Sequence, residues 1–372
     1  MADDCSDAFE AALAALSCPI DFPPMTAAIV PGDTVAIAVD PNTPQVSRIV
    51  SAALQLVQKS DAASVSVVVG DEASSCTLKE IEAVVGDAAQ VELHQPSDRE
   101  SLRFLGPDAL ANPMYLNRLL VDADFVLPIT SGRCGDLDRQ FDLHGFFPAF
   151  SDSASRLRLF SPPQDTGPEI ADPNEPALLL GAQLILCVCS STTGEAANVI
   201  AGTASSIRKR LQETRQVSPK QAATPLVVAS LDGDQQQQTW QNTARAAAAA
   251  ARHSDPGSTI VLWTNLSDSP SGALLSIADE NVELPPFSEP LSEDEFPFWD
   301  PTLAPADTLR RLVQEYRIIL RSELNPEATE SLGISTIQSA AELSKLTDSF
   351  ASCIVLRAAS FCGSTYDWQE PT

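Results

Sequence analysis

The sequence predicts an α/β protein with a Rossmann-like parallel-sheet N-terminal domain, a smaller α/β C-terminal domain and a cleft between the two. Three observations predict this class. Short apolar runs alternate with helical patterns from about residue 34 onward, which indicates βαβ units. The alternation breaks at the polar stretch 212–223 and then starts afresh. The length of 372 residues corresponds to about two or three domains of ordinary size.

The N-terminal domain is predicted over residues 20–215. Its candidate strands are short and rich in Val, Ile, Leu and Ala, as expected of strands that are covered on both faces. They are Thr34–Val39, Ser64–Val69, Gln90–Leu93, 123–129 and 183–189. Helical patterns lie between them at 44–59, 77–85 and 116–122.

The C-terminal domain is predicted over residues 224–362, where the same alternation recurs. The candidate strands are Leu226–Ser230, 259–264, 315–320 and 353–358. The candidate helices are the alanine-rich run 243–252 and Ala340–Thr347. A tract of four glutamines at 235–238 is interpreted as the entrance to the first of these helices.

Composition excludes several classes of function. Acidic residues number 50 against 23 basic ones, which gives a formal net charge of -27 at pH 7. Because no basic patch is visible to offset this charge, we expect no nucleic-acid partner. No apolar run is long enough to cross a membrane, and the first 20 residues do not resemble a secretory signal. The sequence therefore predicts a soluble, cytoplasmic protein without a membrane partner.

Metal-ligating residues are few. The chain has three histidines, His94, His144 and His253, which limits any histidine-based metal site. Eight cysteines in 372 residues are too sparse for a disulfide scaffold. Cys187 and Cys189 lie in an apolar strand-like run, where their side chains would point to the same side. We interpret them as buried thiols rather than metal ligands.

The end of the first predicted strand is a candidate site, because the carboxyl ends of parallel strands carry functional groups. Asp40 ends this strand, and a polar turn with Thr43 leads to Pro44 and a helix. Polar side chains and helix amides at such a point suit an anion. An Asp before a proline-started helix is also an ordinary turn and cap, and the sequence leaves both interpretations open.

Four segments follow one another at spacings found in a known family. They are Asp40 with Thr43 and Pro44; Gly70-Asp71-Glu72; HGFFPAFS from His144 to Ser151; and WQNTAR from Trp240 to Arg245. In this order they resemble the nickel-pincer-dependent lactate racemase family, whose motifs are D-x-x-T-R-P, T-G-x-H-R, H-F-F-A-G-F-S-G-G-x-K and Y-Q-x-x-K. The resemblance covers about residues 20–360 and implies the two-domain fold.

The resemblance also implies a chemistry. The family racemises or epimerises 2-hydroxy acids by hydride transfer to a nickel-pincer nucleotide, and two histidines exchange the hydroxyl proton. It implies two candidate catalytic residues, His144 and, in place of the absent second histidine, Glu72, although Asp71 could also fill this role. It further implies that Asp40, Thr43 and Ser151 contact the cofactor. Gln241 and Arg245 would bind the carboxylate of a small hydroxy acid.

The chain departs from the family at its reactive positions. The lysine that holds the cofactor falls near Ser155 or Arg156, and no histidine lies between His144 and His253 to serve as the nickel ligand. We therefore expect no bound cofactor, no metal ligands, and a protein of uncertain enzymatic status that is catalytically impaired or repurposed. The possible ligand is a small hydroxy-carboxylate.

Other interpretations stay open. His144 could be a histidine packed in an apolar loop, and Gln241 with Arg245 could be a solvated helix start. The chain could be an active 2-hydroxy-acid racemase or epimerase with relocated groups. It could also be a non-enzymatic binding or scaffolding protein that uses aromatic residues 287–299 of the acidic loop 283–301, unless these fold back as a lid. The sequence does not predict an oligomeric state.

Overall fold

A computed structural model describes residues 7–108, 111–132, 143–160, 175–214, 223–278 and 297–362. Within them the chain forms two sheets of mainly parallel strands, each covered by helices. The predicted α/β class is therefore confirmed. No helix among these residues is both long and apolar enough to cross a bilayer.

The first sheet has six strands. They are β1 (Thr34–Val39), β2 (Ser64–Val69), β3 (Gln90–Leu93), β6 (Phe125–Ser131), β7 (Ile185–Ser190) and β8 (Ala196–Gly202). Their order is β3-β2-β1-β6-β7-β8, and every neighbouring pair is parallel except β7 with β8. Because β1 lies at the centre, the residues that follow β1, β2 and β6 meet at one edge of the sheet.

Helices cover both faces of this sheet. Side chains of β1 alternate between two cores, with Ile37 on one face and Ala38 on the other. One face packs against α1 (Ala8–Ser17), α3 (Val46–Val57) and α4 (Ser75–Val85), and α2 (Met25–Ala28) adds to the same core. The other face packs against α5 (Arg118–Val121) and α7 (Glu175–Leu179), together with Phe146 and Phe150.

A hairpin replaces part of one predicted helix. Strand β4 (Leu102–Pro107) pairs antiparallel with β5 (Pro113–Asn117), so the first two residues of the predicted helix 116–122 belong to a strand. The helix that remains, α5, begins after Asn117, whose side chain accepts a hydrogen bond from the amide of Leu119. An N-cap residue at 117 explains why the helix cannot begin earlier.

The second sheet has five strands, all parallel. They are β9 (Leu226–Ser230), β10 (Thr259–Trp263), β11 (Arg317–Arg321), β12 (Ser335–Thr336) and β13 (Ile354–Leu356), in the order β12-β11-β10-β9-β13. Its helices are α9 (Trp240–Ala251), α10 (Leu303–Glu315), α11 (Pro326–Glu330) and α12 (Ala340–Thr347). The main core lies between β9–β11 and helices α9 and α10.

Two further helices, α6 (Ser153–Phe160) and α8 (Ala204–Thr214), complete the described elements. Helix α1 buries Ala8, Ala12 and Leu16 in the core of the first sheet, although these residues precede the predicted domain start at 20. The predicted bounds, 20–215 and 224–362, stay predictions.

Candidate functional site

Asp40 holds the turn at the end of β1. One carboxylate oxygen accepts a hydrogen bond from the amide of Asn42 at 2.9 Å, and the other accepts from the hydroxyl of Ser131 at 2.6 Å. The first of these bonds is an Asx turn, and the second ties β1 to the end of β6. These contacts agree with the turn-and-cap interpretation of Asp40, and its cofactor role stays a prediction.

Asp71, at the end of β2, forms a buried ion pair. Its carboxylate lies 2.7 Å from the guanidinium of Arg156, and the two side chains are 9% and 5% exposed. The guanidinium also donates to the carbonyl oxygens of Pro148, at 3.1 Å, and Ala149, and it lies 5.0 Å from the ring centroid of Trp299. Arg156 is thus held by a carboxylate, two carbonyls and an aromatic face.

The neighbouring residue, Glu72, forms a second ion pair, which joins the two sheets. Its Oε2 accepts from Arg245 of helix α9 at 3.1 Å and from the side-chain amide of Asn42 at 2.9 Å. Arg245 also donates to the side-chain oxygen of Asn242 at 3.2 Å. Arg245 is 11% exposed and Glu72 is 30% exposed, so this pair borders solvent. The structure therefore brings Glu72 and Arg245, predicted for separate roles, into contact.

The start of α9 lies against the turn that follows β1. The side-chain amide of Gln237 donates to the carbonyl oxygens of Asn42 and Thr43 at 3.2 and 3.4 Å, and Asn242 donates to Gln237 in turn. Close by in sequence, the Oγ1 of Thr43 and the Oε1 of Gln241 are buried without a hydrogen-bond partner. Such atoms are costly unless something pairs with them.

Sequence reasoning missed the residues that join α9 to this turn. Asn42, Gln237 and Asn242 are all nearly completely buried, yet only Gln237 lay in a segment noticed for its composition. The available signal was the run of amide side chains in the glutamine tract and at the start of α9. Amides of this kind can bond to the backbone of another segment, although the sequence does not say which segment.

The loop 143–152 carries two other predicted residues. The ring of His144 is 7% exposed and stacks on Phe146, with 6.0 Å between ring centroids. The hydroxyl of Ser151 donates to the carbonyl oxygen of Pro148 at 2.8 Å. This packing is what the apolar-loop interpretation of His144 expects. The catalytic role of His144 and the cofactor role of Ser151 stay predictions.

His94 is a buried, neutral histidine. It packs against Phe150, and its Nε2 lies 3.0 Å from the carbonyl oxygen of Ser151, to which it donates in the matching tautomer. Burial, aided by the positive charge of Arg156, lowers the pKa of His94 to about 4. This imidazole therefore holds the loop in place and carries no charge at neutral pH.

Ser155 and Arg156, near which the resemblance places the cofactor lysine, both have side chains that are hydrogen-bonded within the protein. The hydroxyl of Ser155 donates to the buried carboxylate of Asp152 at 2.6 Å, and Arg156 is paired as described above. A guanidinium keeps its proton in proteins, so it does not supply the amine that a lysine anchor provides. Among the described residues, no group of three or more His, Cys, Asp and Glu side chains is placed to hold a metal ion.

The aromatic segment 287–299 is described only at its end. Phe287 and Phe296 lie outside the described residues. Phe298 is 78% exposed, whereas Trp299 is buried and its backbone amide donates to the hydroxyl of Ser97 at 2.9 Å. At Trp299, therefore, the segment packs into the core of the second sheet and contacts the loop that follows β3.

Two solved structures are similar in fold to this chain. The lactate racemase apoprotein from Thermoanaerobacterium thermosaccharolyticum is similar, with a TM-score of 0.70, 15% sequence identity, and coverage of 97% of this chain and 94% of that one. The two chains share a fold. A crystallised protein from Thermotoga maritima is also similar, with a TM-score of 0.61, 12% identity, and coverage of 91% and 93%.

The lactate-racemase-like fold predicted from the motifs is thus confirmed, and the match extends over both sheets. No protein-family model and no curated protein matches the chain. At this level of identity the likeness describes architecture, and any activity has to be argued from the side chains of the site itself.

Proposed function

We propose that this protein has a lactate-racemase-like fold without nickel-pincer chemistry, and that it binds a small hydroxy-carboxylate between its two sheets. The observation that carries the proposal is the Asp71–Arg156 ion pair. The family resemblance puts a catalytic histidine at Glu72 or the adjacent Asp71, and the cofactor lysine near Ser155 or Arg156. Here the carboxylate of Asp71 and the guanidinium of Arg156 neutralise each other. Because both side chains are buried, neither charge is available to a cofactor or a substrate.

The residues present do not fit the family's cofactor. Attachment needs a nucleophilic amine near position 155 or 156, and the chain offers a hydroxyl bonded to Asp152 and a protonated guanidinium. A protein without the anchor would lack the hydride acceptor on which racemisation by that route depends. We therefore derive no step that uses the cofactor.

The second ion pair suits an anionic ligand better. Arg245 presents a planar group that recognises carboxylates, and Glu72, its present partner, is partly exposed. A ligand carboxylate could take the place of Glu72 without leaving a buried charge unpaired. The amide of Gln241, whose Oε1 is buried and unpartnered, would bond to the ligand hydroxyl. Together they match the two functional groups of a 2-hydroxy acid.

The catalytic half of the proposal is tested by supplying the intact nickel-pincer nucleotide. Purified protein is incubated with the cofactor and a panel of 2-hydroxy acids, and both enantiomers are measured by chiral chromatography. We expect no racemisation and no stoichiometric nickel by elemental analysis. Racemisation of any member of the panel would overturn this half and favour an active enzyme with relocated groups.

The binding half is tested by calorimetry with the D and L forms of lactate and with larger 2-hydroxy acids. We expect saturable binding that weakens by about 100-fold in Arg245→Gln, in line with the loss of a charge-assisted bidentate contact. Gln241→Leu should weaken binding of the hydroxy acid more than binding of the matching acid without the hydroxyl. Arg210→Gln is the matched control, because Arg210 forms an exposed ion pair with Glu213. Equal binding by Arg245→Gln and wild type would contradict the proposal.

A further inference from the structure

Cys187 and Cys189 form a pair of thiols on strand β7 that the proposed function does not use. Sequence reasoning interpreted both as buried thiols rather than metal ligands, but only Cys187 is buried and Cys189 is partly exposed. Residues two apart on a strand point to the same face. Leu186 and Val188 face the core on one side of the sheet, and Cys187 packs with Ile185 in the core on the other.

Both sulfur atoms converge beside Gly132, the residue that follows the neighbouring strand β6. A Cβ atom built on Gly132 would lie 2.6 Å from the Sγ of Cys189 and 3.3 Å from the Sγ of Cys187. The two sulfurs are therefore close to one common point, and only a glycine at 132 leaves room for both of them there. Any larger residue at 132 would push against the sulfur of Cys189.

The strand is irregular at this place. The pairing of β7 with β8 shifts register between Cys189 and Ser190, at the end of the strand. Bulges of this kind redirect a side chain and are common beside functional sites. Cys189 is the last residue of the regular ladder that also holds Cys187, since the unpaired residue, 197, lies on β8, and Cys189 is partly exposed there.

The two thiols also lie close to each other, because a hydrogen bond joins Cys189 and Cys187. On its other side Cys187 packs against Leu143, Ile185 and Ile200, so the pair has a water-excluding apolar wall. Soft cations prefer thiolate ligands in such surroundings, whereas hard cations need several oxygen ligands.

We propose that Cys187 and Cys189 form a two-thiolate site for a soft monovalent cation of the Cu(I) type. A disulfide between them is disfavoured, since residues two apart on an extended strand have Cα atoms about 6.6 Å apart, near the upper limit for that bond. A bridging cation avoids this constraint, because it spans a longer distance between the sulfurs. Binding releases the two thiol protons to solvent.

The test is a competition between the full-length protein and a colorimetric Cu(I) chelator under anaerobic, reducing conditions. We expect one tightly held Cu(I) per chain, and an affinity at least about 100-fold lower in Cys189→Ser, as removal of one of two direct ligands should cost no less than the loss of an outer-shell partner. Cys353→Ser is the matched control, because this exposed thiol lies in the other sheet's part of the chain.

A second variant keeps the test decisive. Replacing the six other cysteines by serine should preserve the binding, with folding checked by circular dichroism. Loss of Cu(I) binding in that folded variant, or unchanged affinity in Cys189→Ser, would overturn the proposal. A mass decrease of two hydrogens on mild oxidation, abolished in Cys189→Ser, would replace it with a redox disulfide. None of these readouts depends on hydroxy-acid binding, so this proposal and the proposed function can fail separately.

Discussion

Asp71 and Glu72 are adjacent in the chain and both pair with arginine, yet their surroundings differ. Asp71 and Arg156 are 9% and 5% exposed and connect parts of the same half of the molecule. Glu72 and Arg245 are 30% and 11% exposed and connect the first sheet to helix α9 of the second. The turn after β2 thus places the carboxylate of Asp71 in the interior and the carboxylate of Glu72 at the boundary between the two sheets.

The difference shows how burial assigns roles to similar pairs. Removing one member of a buried pair strands a charge away from water, and the fold then bears the cost. A partly exposed carboxylate can return to water when its partner is taken, so the pair can respond to a ligand. We therefore regard the Asp71 pair as part of the scaffold and the Glu72 pair as the place where binding can occur.

The largest expected effect comes from breaking the buried pair. Arg156→Met leaves the carboxylate of Asp71 without its cation and removes the guanidinium that donates to the carbonyl oxygens of Pro148 and Ala149. We expect the free energy of unfolding to fall by about 3–5 kcal/mol. Urea denaturation followed by circular dichroism measures this change.

The contrast between buried and exposed pairs would fail if breaking the Asp71–Arg156 pair cost no more stability than breaking a surface pair. Arg311→Gln is the control, because Arg311 and Asp307 form an exposed pair one helical turn apart, and we expect a loss of about 0.5 kcal/mol or less. Should Arg156→Met fail to fold, the double variant Asp71→Leu with Arg156→Met should recover much of the stability. Equal losses in Arg156→Met and Arg311→Gln would contradict our assignment.

The next effect tests the same interior through its histidine. Because the pKa of His94 is lowered to about 4 from 6.5 in the folded protein, the unfolded chain takes up a proton first as the pH falls. Stability is therefore lost between about pH 6.5 and pH 4, and the loss amounts to about 3 kcal/mol. Urea denaturation at a series of pH values should show this decrease.

His94→Gln should flatten the pH dependence over that range, since glutamine can still donate to the carbonyl oxygen of Ser151 but does not titrate. His253→Gln is the control, because burial lowers the pKa of this less buried histidine as well, with a further contribution from Arg252. We expect His253→Gln to change the pH dependence much less. A decrease in His94→Gln as steep as in wild type would show that His94 is not the titrating group.

The sequence predicted the regular parts of this interior and missed its long-range pairing. Strands β1, β2 and β3 have their predicted bounds, because each is a short apolar run between polar turns. The β4–β5 hairpin was missed, since exposed and buried residues are mixed along β4 and no continuous apolar run marks the strand. Asp71 and Arg156 are 85 residues apart, and no local pattern indicates which carboxylate meets which arginine.

The candidate site was predicted residue by residue, without its connections. Glu72 and Arg245 were assigned separate roles from the family resemblance, and the structure places them in contact. The stacking of His144 on Phe146 depends on how a loop folds over the sheet, and sequence alone left that question open. The spacing of a sequence motif identifies candidate site residues, whereas tertiary packing decides which carboxylate pairs with which arginine.

A third prediction concerns the aromatic residue above the buried guanidinium. Trp299→Leu removes the ring that lies 5.0 Å from Arg156 and reduces packing in the second core. We expect the free energy of unfolding to fall by about 1–2 kcal/mol, from the cation–π contact and the change in volume. Phe298→Leu is the control, because Phe298 is 78% exposed and its replacement should change stability little. Equal effects of the two substitutions would place Trp299 outside the scaffold.

The smallest stability effect, with the clearest functional effect, belongs to Glu72. Glu72→Gln removes the negative charge that holds Arg245 but keeps an oxygen that can accept from Asn42. Since the pair borders solvent, we expect a stability loss of about 0.2–1 kcal/mol.

Glu72→Gln also frees Arg245 from a competing carboxylate, so lactate affinity measured by calorimetry should rise by about 10-fold, equivalent to about 1.4 kcal/mol. Glu213→Gln, which removes an exposed partner of Arg210, should leave affinity unchanged. A Glu72→Gln protein with lower lactate affinity would instead make Glu72 a ligand-binding residue, because a competitor cannot strengthen the binding it opposes.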